Sequence, residues 1–178
     1  DRAAAIERYR TVLGLDPVHA GAFRALRRLL SLEDRGEELL ALLRARLERT
    51  NDDEARIELL RSIADLAAGL PGRADERAEA LREIRRIRED DQALDQLLAV
   101  ARAQAPSPEH VELLRAKLSR VVGVDEQRTL RMELAELLLG PLADEASGIA
   151  ELESVRALDP SYTEGLERLA SLPPRDSL

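Results

Sequence analysis

Apolar residues recur three or four positions apart in short runs along this chain, as in Leu39, Leu43, Leu47 or Leu134, Leu137, Leu138. That spacing lays one apolar stripe along a helix and leaves the opposite flank polar. Each run stops at a breaker: Asp16-Pro17, Gly36, Asn51-Asp52-Asp53, Gly69 to Gly72, Glu89-Asp90-Asp91, Pro106 to Pro108, Gly123, Gly140-Pro141, Asp159-Pro160 and Pro173-Pro174. About 12 to 18 residues lie between breakers, the usual length of a globular helix. The pattern predicts nine helices, at roughly 3–15, 19–33, 36–49, 53–68, 74–88, 91–104, 108–122, 125–139 and 144–158, and a tenth at 161–171. Local chemistry agrees. Ser107 suits an N-cap with Pro108 at the first helical position, Asp52 or Asp53 suits the cap of the helix that follows it, and Gly69 and Gly140 stand where helices should stop. No period-two alternation is present, so the fold class is all-α. Short connections make neighbouring helices antiparallel hairpins, and no heptad pattern survives a breaker, which excludes a continuous coiled coil.

The chain also repeats itself. Residues 42–49 read LLRARLER and residues 113–120 read LLRAKLSR, with six of eight positions identical at an offset of 71. Ile6, Tyr9, Val12 and Leu15 return as Ala78, Leu81, Ile84 and Ile87, then as Ile149, Leu152, Val155 and Leu158. Phe23, Leu26 and Leu30 return as Leu94, Leu97 and Ala101, and the first two again as Leu166 and Leu169. Ile63-Ala64-Asp65-Leu66 matches Leu134-Ala135-Glu136-Leu137. Offsets of 71 or 72 span four helices, so the basic period is one hairpin of 35 or 36 residues. Repetition on this scale is the mark of stacked units.

Composition narrows the roles. Aromatic residues are 2% and Trp is absent, so the core is built from Leu, Ile, Val and Ala. The formal net charge is -8, which opposes nucleic-acid binding because phosphate contacts need a basic surface. Lys117 is the sole lysine; every other basic side chain is arginine, a bias that a GC-rich genome explains. With no Cys, disulfides and thiolate metal sites are excluded. No apolar run approaches the ~20 residues that span a bilayer.

Catalytic chemistry finds little support. His19 falls in a turn and His110 in the first turn of a helix, and both read as exposed polar residues. No nucleophile-elbow, zincin or phosphate-cradling glycine pattern occurs. The clusters Asp52-Asp53-Glu54 and Glu89-Asp90-Asp91 fall at helix junctions, where carboxylates cap an N-terminus and suit its dipole. The expectation is no enzyme, no cofactor and no metal.

The hairpin repeat resembles the tetratricopeptide repeat family, whose unit is a pair of antiparallel helices, A then B, of about 34 residues. Ala5, Tyr9, Val12 and Pro17 fit the B-helix pattern and its closing turn, as do Gly148, Leu152, Val155 and Pro160. Ala64 and Ala135 occupy the small position of the A helix. Arg77, Leu39 and His110 depart from the small B-helix position, and Arg27 and Leu98 from the A-helix one. HEAT-like or Sel1-like hairpin arrays and a compact bundle are the alternative folds. The resemblance implies a right-handed α-α superhelix of about five hairpins over residues 1–172, followed by a tail at 173–178. It would open on a B helix and close on an A helix, as if cut from a longer array, with end helices able to self-associate.

The same resemblance implies a non-catalytic scaffold that grips a peptide or partner helix in a concave groove lined by A helices. An accessory domain of a larger enzyme or regulator is the alternative. Groove positions carried across fall on Arg24 and Arg28, then Glu58, Arg61 and Asp65, then Gln92, Asp95 and Arg102. Thr129, Met132, Glu133 and Glu136 follow, and last Glu164 and Glu167. The groove so drawn is basic at its N-terminal end and acidic towards its C-terminal end.

Overall fold

The computed structural model describes residues 1–171, apart from the side chains of Glu164 and Leu166. The expected tail at 173–178 lies outside the described residues. Ten α-helices and no strand occur among them: α1 (Arg2–Leu15), α2 (Ala20–Leu32), α3 (Gly36–Leu47), α4 (Asp53–Ala68), α5 (Ala74–Ile87), α6 (Asp91–Arg102), α7 (Pro108–Leu118), α8 (Val124–Leu139), α9 (Glu145–Leu158) and α10 (Thr163–Ala170). Most boundaries fall within two residues of the expectation. The exception is α7, which stops at Leu118 rather than 122. Ser119 turns there, its Oγ donating to the carbonyl of Ala116, and the β-branched Val121 and Val122 and then Gly123 do not continue the helix.

Caps explain why the helices begin where they do. Asp52 accepts from the Ala55 N–H, Ser107 from His110 with Pro108 at the first position, and Asp144 from Ser147. Gly69 and Gly140 close α4 and α8. Gly36 has a different reason to be small. It is the first residue of α3, and a Cβ there would lie 2.9 Å from Leu70 Cδ2. The left-handed residue of that turn is Asp34, at φ 54°.

The chain divides into two compact units, Asp1–Ala93 and Leu94–Leu178. In the first, Ile6, Leu30, Leu40, Leu43, Ile57, Leu60, Leu81 and Ile84 are fully buried. In the second, Leu94, Leu97, Leu114 and Leu134 are, with Met132, Ala135, Leu152 and Val155 forming a cluster against which Leu139, Tyr162 and Leu169 pack. Each such side chain stabilises by about 1.5–3 kcal/mol relative to exposure. Every close helix pair joins neighbours in sequence, and the tightest are α4 with α5 and α8 with α9. Those two hairpins are one double repeat apart. Small residues permit the approach: Ala64, Ala67 and Ala78 in the first, Ala135 and Gly148 in the second, all buried. A Cβ on Gly148 would sit 2.6 Å from Leu139 Cγ. No helix among the described residues is long and apolar enough to cross a membrane.

Candidate functional site

The second unit holds a cleft of about 430 Å³. α6 contributes Asp95, Leu98 and Arg102; α7 contributes Lys117; and α8 contributes Asp125, Glu126, Thr129 and Leu130. Leu98 and Leu130 are buried, so their apolar stripes fix α6 and α8 while the next residues on each helix project polar groups. Lys117 Nζ donates to Asp95 Oδ1 at 2.6 Å and stands 4.0 Å from Glu126. Arg102 grips Glu133 with two parallel bonds, Nε to Oε1 at 2.8 Å and Nη2 to Oε2 at 2.6 Å. Such a fork fixes both partners more firmly than one point contact would.

His110 lies behind that pair and corrects the expectation of an exposed histidine. It is 5% exposed, with Nε2 3.2 Å from Glu133 Oε1. Burial pushes the Glu133 carboxyl up, but the Arg102 hydrogen bonds and charge, followed by those of His110, outweigh it and hold it below its usual range. The same fork raises Arg102 above its ordinary value. The groove positions missed Lys117 and His110, as well as Leu98, Asp125, Glu126 and Leu130 of the cleft lining. For the first two the signals were there to read, since Lys117 is the lone lysine and His110 stands where the buried Leu39 stands one double repeat earlier.

The expected groove residues split into two sets. Arg24, Arg28, Asp65 and Glu136 are exposed and make no ion pair among the described residues. Asp95, Arg102 and Glu133 are paired around the cleft, and Arg61 is held by Asp90 at 2.6 Å. Asp90 itself is 8% exposed and caps α6, its Oδ1 accepting from the Ala93 N–H at 2.8 Å. Burial raises the Asp90 carboxyl, but the Ala93 bond and Arg61 hold it below its ordinary value. Met132, placed in the groove by the repeat register, is instead buried among Ala135, Leu152 and Val155. The side chain of Glu164 lies outside what is described.

His19 is exposed, as expected, and caps α2 through Nδ1, which accepts from the Ala22 N–H. Thr129 Oγ1 donates to the Asp125 carbonyl within α8. No three His, Asp or Glu side chains among the described residues converge as metal ligands would. What the cleft offers is fixed charge. The carboxylates Asp95, Asp125, Glu126 and Glu133 stand among three cations, Lys117, Arg128 and Arg102, each paired with at least one of them.

No family model matches the chain, and no curated protein does. Among solved structures it is similar to BtubC (BKLC) from P. vanneervenii, with 14% sequence identity over 99% of this chain and 93% of that one, at a TM-score of 0.39.

Proposed function

We propose that the chain is a non-catalytic protein–protein interaction scaffold of tetratricopeptide-like hairpins, wound as a right-handed superhelix, that holds a peptide or partner helix against its A helices. One observation carries this reading. Most arginines here are tied to carboxylates of a neighbouring turn or helix, as in Arg56–Glu83, Arg44–Glu76 and Arg73–Glu37, yet Arg24, Arg28, Asp65 and Glu136 are exposed and unpaired on α2, α4 and α8, as Arg8 and Arg156 are on α1 and α9. Free charges on the A helices orient an incoming partner and speed its encounter more than they tighten it. The double repeat, the packing of sequence neighbours and the small residues at the closest helix pairs support the repeat assignment.

Arg61 is a poor test position because Asp90 needs it. Reversal of Arg24 and Arg28 to Glu leaves the packing alone. Affinity purification with quantitative mass spectrometry should show partner recovery reduced and its salt dependence flattened. Unchanged recovery at every salt concentration would sink the groove reading. The end helices α1 and α10 are proposed to self-associate. A sedimentation profile that stays monomeric at high concentration would count against it.

A further inference from the structure

The first unit carries a second groove, on α1, α2 and α3, that the repeat does not require. α1 and α3 are bridged by the Arg10–Glu38 ion pair, which lines the larger of two adjoining hollows of about 260 and 380 Å³ beside these helices. Leu13, Gly14 and Leu42 line both hollows, and Phe23 from α2 lines one of them. Arg46 and Arg49 stand at the Phe23 end. The Arg46 guanidinium lies 5.3 Å from the Phe23 ring centroid and forms no ion pair among the described residues. Its Nη1 is shielded from solvent with no hydrogen-bond acceptor. Arg49 donates to the carbonyl of Ala45 and otherwise comes only within 3.7 Å of its sequence neighbour Glu48. A buried donor without an acceptor is a standing cost, and two guanidiniums beside an apolar trough are complementary to a carboxylate.

The repeat register shows that the opening is particular to this copy. Leu13-Gly14 is replaced by Arg85-Arg86 at an offset of 72 and by Arg156-Ala157 at 143. Glycine inside a helix weakens it. Nothing in the fold asks for one here, because no atom lies within 4 Å of where a Gly14 Cβ would be. What the glycine leaves is space.

We propose that this groove docks an acidic segment of a partner protein. An apolar side chain sits over Gly14 between Leu13 and Leu42, and an Asp or Glu carboxylate bonds Arg46, turned slightly from Phe23, and Arg49. The site shares no residue with the proposed A-helix groove, so either can fail alone.

The test is an NMR titration of the isotope-labelled chain with an acetylated, amidated hexapeptide of leucine and alanine bearing one glutamate, and with its glutamine counterpart. Shifts should centre on Leu13, Gly14, Leu42 and Arg46, with the glutamate peptide binding about tenfold more tightly, the worth of one charge-assisted pair. Arg46→Gln should erase that preference. Gly14→Leu adds a side chain into open space on a better helix former, so it should keep the helical circular dichroism and abolish binding of both peptides. Equal affinity for the two peptides, binding that survives Gly14→Leu, shifts centred on Arg24 and Arg28, or no shifts at millimolar peptide would each overturn the proposal.

Discussion

The hairpins α4–α5 and α8–α9 occupy the same place in the double repeat and are the two tightest in the chain, yet they reach that closeness differently. In α8–α9 the large residue is Leu139 and the facing position must be Gly148. An offset of 71 converts that pair into Ala68 and Arg77, so the bulk has moved to the other helix. The turns differ as well. Gly72 and Ala143 match, and both have positive φ, 72° and 51°, but only the first is glycine. The charges differ too. Ser62, Leu39 and Ser31 in the first copy become Glu133, His110 and Arg102 in the second, so three positions without an ionisable group become a network of three. A repeat of this kind conserves backbone geometry and lets volume and charge be traded in pairs across it.

The comparison can be broken most directly at Gly148. Gly148→Arg copies the first hairpin into the second without its companion change, and overpacking should cost about 3 kcal/mol in denaturant unfolding. Adding Leu139→Ala should recover most of that. A single variant as stable as the parent would mean that the volumes are not traded.

Glu133→Ser is the next largest, about 1–2 kcal/mol, because it leaves the buried His110, and the half-exposed Arg102, without their acceptor. His110→Leu in the same chain restores the first copy's arrangement and should recover part of the loss. A double-mutant cycle showing no coupling would dissolve the network. The same carboxylate sets a pH dependence. Its folded value is lowered from 4.5, so its contribution is complete above that pH and is lost as pH falls through the lowered value. Thermal melts from neutral to acid pH should show the loss in the parent chain and a shallower one in Glu133→Gln.

The turns sharpen the comparison at about 1 kcal/mol, with opposite signs. Gly72→Ala should destabilise by about that amount because an L-residue resists the left-handed region, and Ala143→Gly should stabilise by somewhat less. Smallest is the refrain itself. Arg46→Lys removes a guanidinium from over Phe23 and should cost about 0.5 kcal/mol, whereas Lys117→Arg, which keeps the charge opposite a half-exposed Asp95, should cost less.

These contrasts also mark how far the sequence could be read. Helix positions were legible because the period of Leu, Ile and Ala and the caps at Asp52, Ser107, Gly69 and Gly140 are local signals. The repeat gave which hairpins correspond. It could not give burial at a position where one copy breaks the pattern. His110 looked exposed because histidine usually is, and Met132 looked like a groove residue because its register said so. Both are decided by what faces them across the hairpin, Glu133 for one and Val155 with Leu152 for the other. The split between free Arg24 and tethered Arg61 likewise depends on Asp90, 29 positions away in the chain and on another connection.

The restriction of close packing to sequence neighbours has a kinetic consequence. No helix pair must await a segment made much later, so loop-closure entropy is low and folding should be fast for a chain of this length. During synthesis each hairpin can settle as its second helix emerges, and α4–α5 has all its close partners before α8–α9 is translated. Hydrogen exchange should then report several openings of different free energy, with the slowest amides in those two hairpins rather than one global event.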